Sequence, residues 1–261
     1  MYKFIIINLI IYYVEKVGEI VRWIAISDVH GCFLEWIKLW NQLHVSKKDQ
    51  VILLGDFVDR GPQTKDVLQH VYELKQQGFQ IQYVRGNHEQ SMLDSFSYNQ
   101  NGPWIRSNGI KTLESYVGQN FSNDWSIEDI KYAKEFIRTQ YPHHLELIKD
   151  SVYVMQTKKH VFVHAGLDPK FGLKTSSHDM MHIRDGFYRS ELNFPFKVVF
   201  GHTPIQRLER FREDVWFQAD KIGIDGGISF GQHLHALIID ETETNYETIT
   251  VSPVVLTKIA S

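Results

Sequence analysis

One cysteine, Cys32, is all the thiol the chain contains. An internal disulfide and a thiolate-built metal centre are both excluded, which fits a reducing cytoplasm and leaves any metal to oxygen and nitrogen ligands. Basic charge is not in excess: 28 Lys and Arg stand against 31 Asp and Glu, a net charge of -3. The footprint of a nucleic-acid or acidic-membrane binder is therefore missing, and neither partner is expected. The 7 prolines and 17 glycines are scattered over 261 residues without a low-complexity tract, so fibrous and disordered classes are excluded too. Residues 4–14 form an apolar run broken at Asn8, too short for the roughly 20 residues of a membrane helix. Lys3 before it resembles the start of a signal peptide, but Glu15-Lys16-Val17-Gly18-Glu19 offers no small-x-small cleavage site. Residues 1–20 are read as an N-terminal appendage and residues 21–261 as one domain, with a cytoplasmic location expected. With 43% hydrophobic residues, that domain can fill a packed core.

What is present is a repeated strand–loop–helix unit. Residues 22–27 read as a buried strand that runs into Asp28-Val29-His30-Gly31, after which Trp36, Leu39, Trp40 and Leu43 recur at helical spacing. Residues 50–54 lead into Gly55-Asp56-Phe57-Val58-Asp59-Arg60-Gly61, with Val67, Leu68, Val71 and Leu74 as the next apolar stripe and Gly78 as its close. Residues 79–84 lead into Arg85-Gly86-Asn87-His88-Glu89. Further on, residues 151–156 and 160–163 read as a hairpin with Lys158-Lys159 in its turn, ending in His164-Ala165-Gly166; residues 197–200 end in Gly201-His202-Thr203-Pro204. Residues 222–227, 234–240 and 246–251 alternate and turn like antiparallel structure, predicting a second, partly antiparallel sheet. Between these parts, about residues 90–150 are helical, with Ser126-Ile127-Glu128-Asp129 as a capping-box start and Pro142 as a stop. This insertion is either a cap over the rim of the sheet or a stabilising helical layer.

Ligands collect beyond the carboxyl ends of such strands, where loops distant in sequence meet. Asp28 and His30 stand two apart on one loop, within reach of one cation. Asp56, Asn87, His164 and His202 add carboxylate, amide and imidazole donors, a set that suits Mn²⁺, Fe or Zn²⁺. Shared between two ions, Asp56 would hold them roughly 3.5–4 Å apart around a water of lowered pKa, which gives a hydroxide nucleophile at neutral pH. Two cations call for an anionic substrate. Arg60 offers a planar fork of donors to phosphate oxygens, and Arg184, in Met181-His182-Ile183-Arg184, is a second candidate. Arg85 precedes its glycine and suits a structural ion pair better. His88, beside Asn87, is free to act as general acid on the leaving oxygen, with Asp59 orienting its imidazole.

These signatures, Asp28-x-His30-Gly31, Gly55-Asp56-x-x-Asp59-Arg60-Gly61 and Gly86-Asn87-His88-Glu89, resemble the phosphoprotein phosphatase branch of the calcineurin-like metallophosphoesterases. His164-Ala165-Gly166 and Gly201-His202-Thr203-Pro204 match its later histidine motifs, so the resemblance covers about residues 22–240. It implies an α/β fold, a four-layer α-β-β-α sandwich of two mixed sheets with a helical insertion. It also implies two divalent metal ions, Mn²⁺ foremost, with Fe, Zn²⁺ or Mg²⁺ as the others. Asp28, His30 and His202 would hold the first ion, Asn87 and His164 the second, and Asp56 both. Arg60, Arg184, Asp59 and His88 take the roles argued above, with Asn87 also close to substrate. Ser27 stands where many relatives have glycine, a change expected to be harmless. Met180, Met181 and His182 fill the stretch before Arg184 where relatives often carry tryptophan.

Bland readings cover the other candidates. His143, His144, His160, His178, His233 and His235 lack a motif context. Trp36 and Trp40 suit the core, Cys32 a small buried thiol rather than a redox handle, and Asp225 a turn rather than the site lining. The leading function is a metal-dependent phosphomonoesterase of the serine/threonine protein phosphatase type. The alternative is symmetrical hydrolysis of a dinucleoside polyphosphate such as diadenosine tetraphosphate, since Asn108-Gly109-Ile110-Lys111-Thr112-Leu113 resembles that bacterial branch as well. The expected partner is accordingly a phosphorylated protein or a nucleotide. A binding scaffold that keeps metal residues for structure is the reading from another class, and no motif residue is lost in its favour.

Overall fold

Short apolar runs that are hydrophobic at every position can be satisfied only when both faces of a sheet are covered, and the chain achieves this with two sheets packed face to face. The computed structural model describes residues 22–97, 102–118 and 125–254, and the backbone of 11–13. The first sheet has the order β11-β10-β2-β3-β4, from Tyr246–Val251 (β11), Leu234–Asp240 (β10), Arg22–Ile26 (β2), Gln50–Leu53 (β3) and Gln80–Tyr83 (β4). β2, β3 and β4 run parallel, and β10 and β11 are antiparallel additions. The second sheet has the order β1-β5-β6-β7-β9-β8, from Ile11–Tyr13 (β1), Val154–Gln156 (β5), His160–Val163 (β6), Lys197–Phe200 (β7), Lys221–Gly223 (β9) and Trp216–Phe217 (β8). Here β6, β7 and β9 form the parallel centre.

The period-2 alternation of these strands sorts their side chains between layers. Trp23 and Ala25 of β2, Ile52 of β3 and Leu237 and Ile239 of β10 meet Met155, Phe162, Val199 and Ile222 of the other sheet in one buried cluster. The alternate residues, Ile24, Ile26, Val51, Leu53, Ala236 and Ile238, face the opposite way, onto helices α1 (Phe33–Leu43) and α2 (Thr64–Gln76). Val161, Val163, Val198 and Phe200 face a second helical side that contains Met180, Phe187 and Ile205. The result is the expected α-β-β-α sandwich. The last hairpin corrects one expectation: β10 and β11 complete the first sheet instead of building the second. β10 is buried at every position but its last, which suits an interior strand between β2 and β11.

The helices of the insertion join the same core. α3 (Asn87–Ser97), α4 (Ile110–Val117), α5 (Ile127–Gln140) and α6 (Pro142–Lys149) contribute Met92, Leu93, Phe96, Leu113, Tyr116, Ile130, Ala133, Ile137, Leu147 and Ile148 to the cluster under α1 and α2. Ser126 caps α5 with the reciprocal Asp129 bond read from the sequence, and Pro142 opens α6. A five-residue π-turn, Ile105–Gly109, precedes α4. Of the appendage, Ile11–Tyr13 pairs in parallel with β5; the rest of residues 1–20 lies outside the described residues. Among the described residues no helix is long and apolar enough to cross a membrane.

Candidate active site

Each sequence-predicted ligand follows a parallel strand: Asp28 and His30 after β2, Asp56 after β3, Asn87 after β4, His164 after β6, His202 after β7. The first two loops are zipped together past the sheet edge, since Asp28 N, His30 N and Gly31 N donate to the carbonyls of Gly55, Asp56 and Phe57 at 3.0, 2.9 and 3.0 Å. To aim side chains at one point these loops adopt left-handed backbone at residues with a Cβ: φ is 53° at Asp28, 46° at His30, 56° at Asp56 and 62° at His202. Glycines give them room. A Cβ on Gly55 would lie 2.5 Å from Gly86 N, and one on Gly201 would overlap Ser27 Oγ and Asp28 Oδ2.

The imidazoles are oriented from behind. His30 Nδ1–H donates to Val58 O at 2.8 Å and His164 Nδ1–H to Leu54 O at 2.6 Å, so each turns Nε2 inward, the arrangement a metal ligand needs. His30 Nε2 is 3.9 Å from Asp28 Oδ1 and 3.7 Å from Asp56 Oδ2, and His164 Nε2 is 3.4 Å from Asp56 Oδ2. Asn87 Oδ1 lies 3.1 Å and His202 Nδ1 3.2 Å from His164 Nε2. Donor atoms of His30, Asp56 and His88, and of Asp56, His164 and His202, each fall within 4.8 Å of one another. The His202 ring thus stands against His164, while its backbone N–H donates to Asp28 Oδ2 at 2.9 Å. The His202 atom turned toward His164 is Nδ1, while its Nε2 is buried without a hydrogen-bond partner. The donor set is all nitrogen and oxygen, so it fits two borderline or hard divalent cations.

Electrostatics express the same crowding. Burial raises the Asp28 carboxyl, whereas His164 and His88 hold Asp56 well below its ordinary range despite its own burial. Burial opposes the charge on His164, yet Asp56 and Asp28 raise it to about 10; burial and the neighbouring His164 push His202 down to about 2. Beside them, Arg60 Nη1 donates to His30 Nε2 at 2.8 Å, and its Nη2 lies 3.2 Å from His88 Nε2. His88 Nδ1–H donates to Asp59 Oδ2 at 2.7 Å. Against burial, Asp56 and Asp59 raise the pKa of His88 above its ordinary value. Arg184 is half-buried and donates to His202 O at 3.0 Å and Thr203 Oγ1 at 3.1 Å, which places it on the His202 loop. Ser27 Oγ donates to Asp28 Oδ2, so the residue in the glycine position touches a ligand.

Three residues carry more than their sequence context suggested. Glu89, buried, accepts from Asp56 N and Phe57 N at 2.8 Å, Gly86 N at 3.0 Å and Tyr83 OH at 2.9 Å; its place in the Gly86-Asn87-His88-Glu89 signature was the only sign. Asp225 is buried, accepts from Gly227 N at 2.9 Å, and is pushed well up by burial and by Asp28. Its position after β9, in line with the other strand ends, was the available signal. Phe230, 61% exposed, lies over Arg60 with its ring centroid 5.0 Å from the guanidinium carbon. Elsewhere the bland readings stand: Trp36 and Trp40 pack 5.5 Å apart in the core, His144 is buried against Tyr116 OH at 2.8 Å, and burial pushes the Cys32 thiol up to about 12, out of the reactive range. Arg85 is tied to the neutral side chains of Ser151, Gln90 and Tyr153, so hydrogen bonds stand where an ion pair was expected.

Comparison with known proteins agrees with this geometry. The sequence profile of the calcineurin-like phosphoesterases matches residues 21–220. A symmetrical bis(5'-nucleosyl)-tetraphosphatase of Buchnera aphidicola subsp. Schizaphis graminum is 25% identical over 199 residues, 73% of this chain and 63% of that protein. Serine/threonine-protein phosphatase 2 of Escherichia coli is 26% identical over 205 residues, 74% of this chain and 84% of that one. A solved structure described provisionally as a diadenosine tetraphosphatase superposes with a TM-score of 0.64 at 17% identity, covering 92% of this chain and 97% of that one, a likeness of fold. The matched span takes in every ligand loop from Asp28 to His202, and the chain belongs to the calcineurin-like phosphoesterase family, whose members hydrolyse phosphoesters.

Proposed function

We propose that the chain is a metal-dependent phosphatase of phosphomonoesters, of the serine/threonine protein phosphatase type, working in the cytoplasm. Asp28 and His30 would hold one divalent cation, Asn87, His164 and His202 the other, and Asp56 would face both. Two divalent cations bound there, Mn²⁺ foremost, would supply Lewis acidity toward a water and the phosphoryl group. The remaining work falls to the chain. Arg60, held between His30 and His88, binds non-bridging phosphate oxygens through its fork of donors. Arg184 lends positive charge from the His202 loop. His88, kept basic by Asp56 and Asp59, donates a proton from Nε2 to the leaving oxygen.

The observation that carries the reading is the Asp59–His88–Arg60 line ending at the ligand group: an acid and a phosphate clamp side by side are what ester hydrolysis needs and a structural metal site does not. A second reading, symmetrical cleavage of dinucleoside polyphosphates, is favoured by Phe230, whose exposed face beside Arg60 offers a surface for a base to stack on. Turnover of a phosphoserine peptide and of diadenosine tetraphosphate, compared with Mn²⁺ supplied, separates the two. Asp56→Asn is expected to lose both metal and activity, and His88→Asn to keep metal while losing about 10²–10⁴-fold in rate. Full activity in both variants on an alkyl phosphate such as a phosphoserine peptide would sink the assignment.

A further inference from the structure

We infer that Trp104 and Thr112, on the helical insertion, are positioning residues for leaving-group protonation that act on His88 through Asp59. This rests on the reading of His88 as the acid. Asp59 is fully buried. Its Oδ2 accepts His88 Nδ1–H at 2.7 Å and Trp104 Nε1–H at 2.9 Å. Its Oδ1 accepts Thr112 Oγ1–H at 2.6 Å, with the same indole N–H at 3.1 Å. Thr112 Oγ1 also lies 3.0 Å from Asp59 N. Both oxygens and the peptide of Asp59 are thus fixed by residues 45 and 53 positions away.

The local backbone is bent to this purpose. At about 100° per residue, positions eight apart on an α-helix end roughly 80° out of line. The π-turn Ile105–Gly109 lies between Trp104 and Thr112 and absorbs one extra residue, which brings the two back to within about 20° of one face. Gly109 completes the device: a Cβ there would stand 2.5 Å from Trp104 Cδ2 and 2.6 Å from Cε2, so only glycine lets the indole lie against the turn. A π-turn, a glycine and two buried donors converge on one carboxylate. With both its oxygens pinned, the carboxylate cannot swing, and the imidazole keeps Nε2 turned toward the centre, 3.8 Å from Asp56 Oδ2.

Satisfying a buried carboxylate would by itself be a structural role, so the test reads leaving-group dependence. An oxygen as acidic as p-nitrophenolate departs without a proton, while an alkoxide does not. Trp104→Phe and Thr112→Val are expected to lower kcat by about tenfold or more on an alkyl phosphate, with a clearly smaller loss on p-nitrophenyl phosphate and KM unchanged, a fraction of the 10²–10⁴ that an acid supplies. Thr112→Ser should restore the rate, Gly109→Ala should follow Trp104→Phe, and neither Trp104→Phe nor Thr112→Val should add to Asp59→Asn. Equal losses on both substrates, or losses additive with Asp59→Asn, overturn the inference; should Trp104→Phe fail to fold, the Thr112→Val and Thr112→Ser pair decides. If His88→Asn shows leaving-group dependence and these variants do not, the inference alone fails. If His88→Asn shows none, the reading of His88 as acid fails and takes the inference with it.

Discussion

Glu89→Gln is the substitution whose cost can be worked from the hydrogen bonds. The carboxylate accepts Phe57 N–H, Tyr83 O–H and, at 3.4 Å, Val58 N–H on Oε1, and Asp56 N–H and Gly86 N–H on Oε2. An amide keeps one acceptor oxygen. Its best placement puts the NH₂ where Oε1 stands, because the Tyr83 hydroxyl can turn round and accept, whereas a backbone N–H cannot. Phe57 N–H and, more weakly, Val58 N–H at 3.4 Å are then left facing another donor, at about 1–3 kcal/mol together, and the bonds from Asp56 and Gly86 each lose roughly 1 kcal/mol of charge assistance. The sum, about 3–5 kcal/mol, corresponds to a fall in Tm on the order of 10 °C for a chain of this size. Because the same bonds fix the loop that carries Asp56, the Mn²⁺ concentration giving half-maximal activity should rise with it, by about 10–100-fold. Thermal melts with and without Mn²⁺, together with a metal titration of activity, measure both. A Tm within about 2 °C of wild type together with an unchanged Mn²⁺ requirement would refute the argument.

Other perturbations test separate parts. Gly201→Ala places a methyl against Ser27 Oγ and Asp28 Oδ2 and should raise the Mn²⁺ requirement about tenfold; an unchanged titration would mean that the Asp28 loop gives way freely. Phe230→Ala should raise KM for a dinucleoside polyphosphate by about 5–100-fold with a phosphoserine peptide little affected, and equal KM changes would remove the second reading's support. Glu243, despite burial that opposes it, is lowered to about 2 by hydrogen bonds from His160 and Thr157. Its stabilisation is therefore complete above the ordinary carboxyl range and fades as pH falls toward about 2. Glu243→Gln should cost on the order of 1 kcal/mol at pH 7, discounted for the partial exposure of the carboxylate, and the difference in urea midpoint should shrink by pH 3. Deletion of residues 1–20 removes β1 at the edge of the second sheet and should leave kcat unchanged, since every site residue follows it; a large loss of activity would tie that segment to the domain.

The ligand loops were legible because each follows a strand-like run, nearly all apolar before Asp28, Asp56, His164 and His202 and alternating before Asn87, so a strand end and its polar punctuation are marked together. Asp28, His30, Asp56, Asn87, His164 and His202 come together as the strand-tip argument requires, within the distances given by their inward nitrogens and carboxylates. Periodicity reads out which face of a strand is buried but not which sheet the strand joins, and for that reason β10 and β11 were placed in the wrong one. The side to which a histidine ring turns is likewise set by its loop: Thr203-Pro204 and the backbone of His202 determine that its imidazole meets His164, and spacing along the chain carries no trace of this. Trp104 and Thr112 were invisible as partners of Asp59 because their common face exists only once a π-turn has shifted the helical register. Glu89 and Asp225 were in view as motif and turn residues, but the number of donors each meets depends on loops folded from elsewhere.

The strained backbone explains why this site cannot be edited piecemeal. Asp28, His30, Asp56, Asp59, Arg60 and His202 all have φ between 46° and 70°, a region that costs a residue with a Cβ about 1–3 kcal/mol. Glycine would remove that cost and the function with it, since each of these side chains faces the ligand group or its neighbours. The conformation is held instead by what surrounds it: the Gly55, Asp56 and Phe57 carbonyls take the amides of Asp28, His30 and Gly31, His30 O takes Gly61 N at 2.9 Å, and Glu89 takes the amides of Asp56 and Phe57. Each strained loop is thereby the restraint on the next. Loss of any one restraint releases strain in its neighbours as well as its own bonds, so substitutions within the rim should be strongly non-additive, whereas those among the helices of the outer layers should sum.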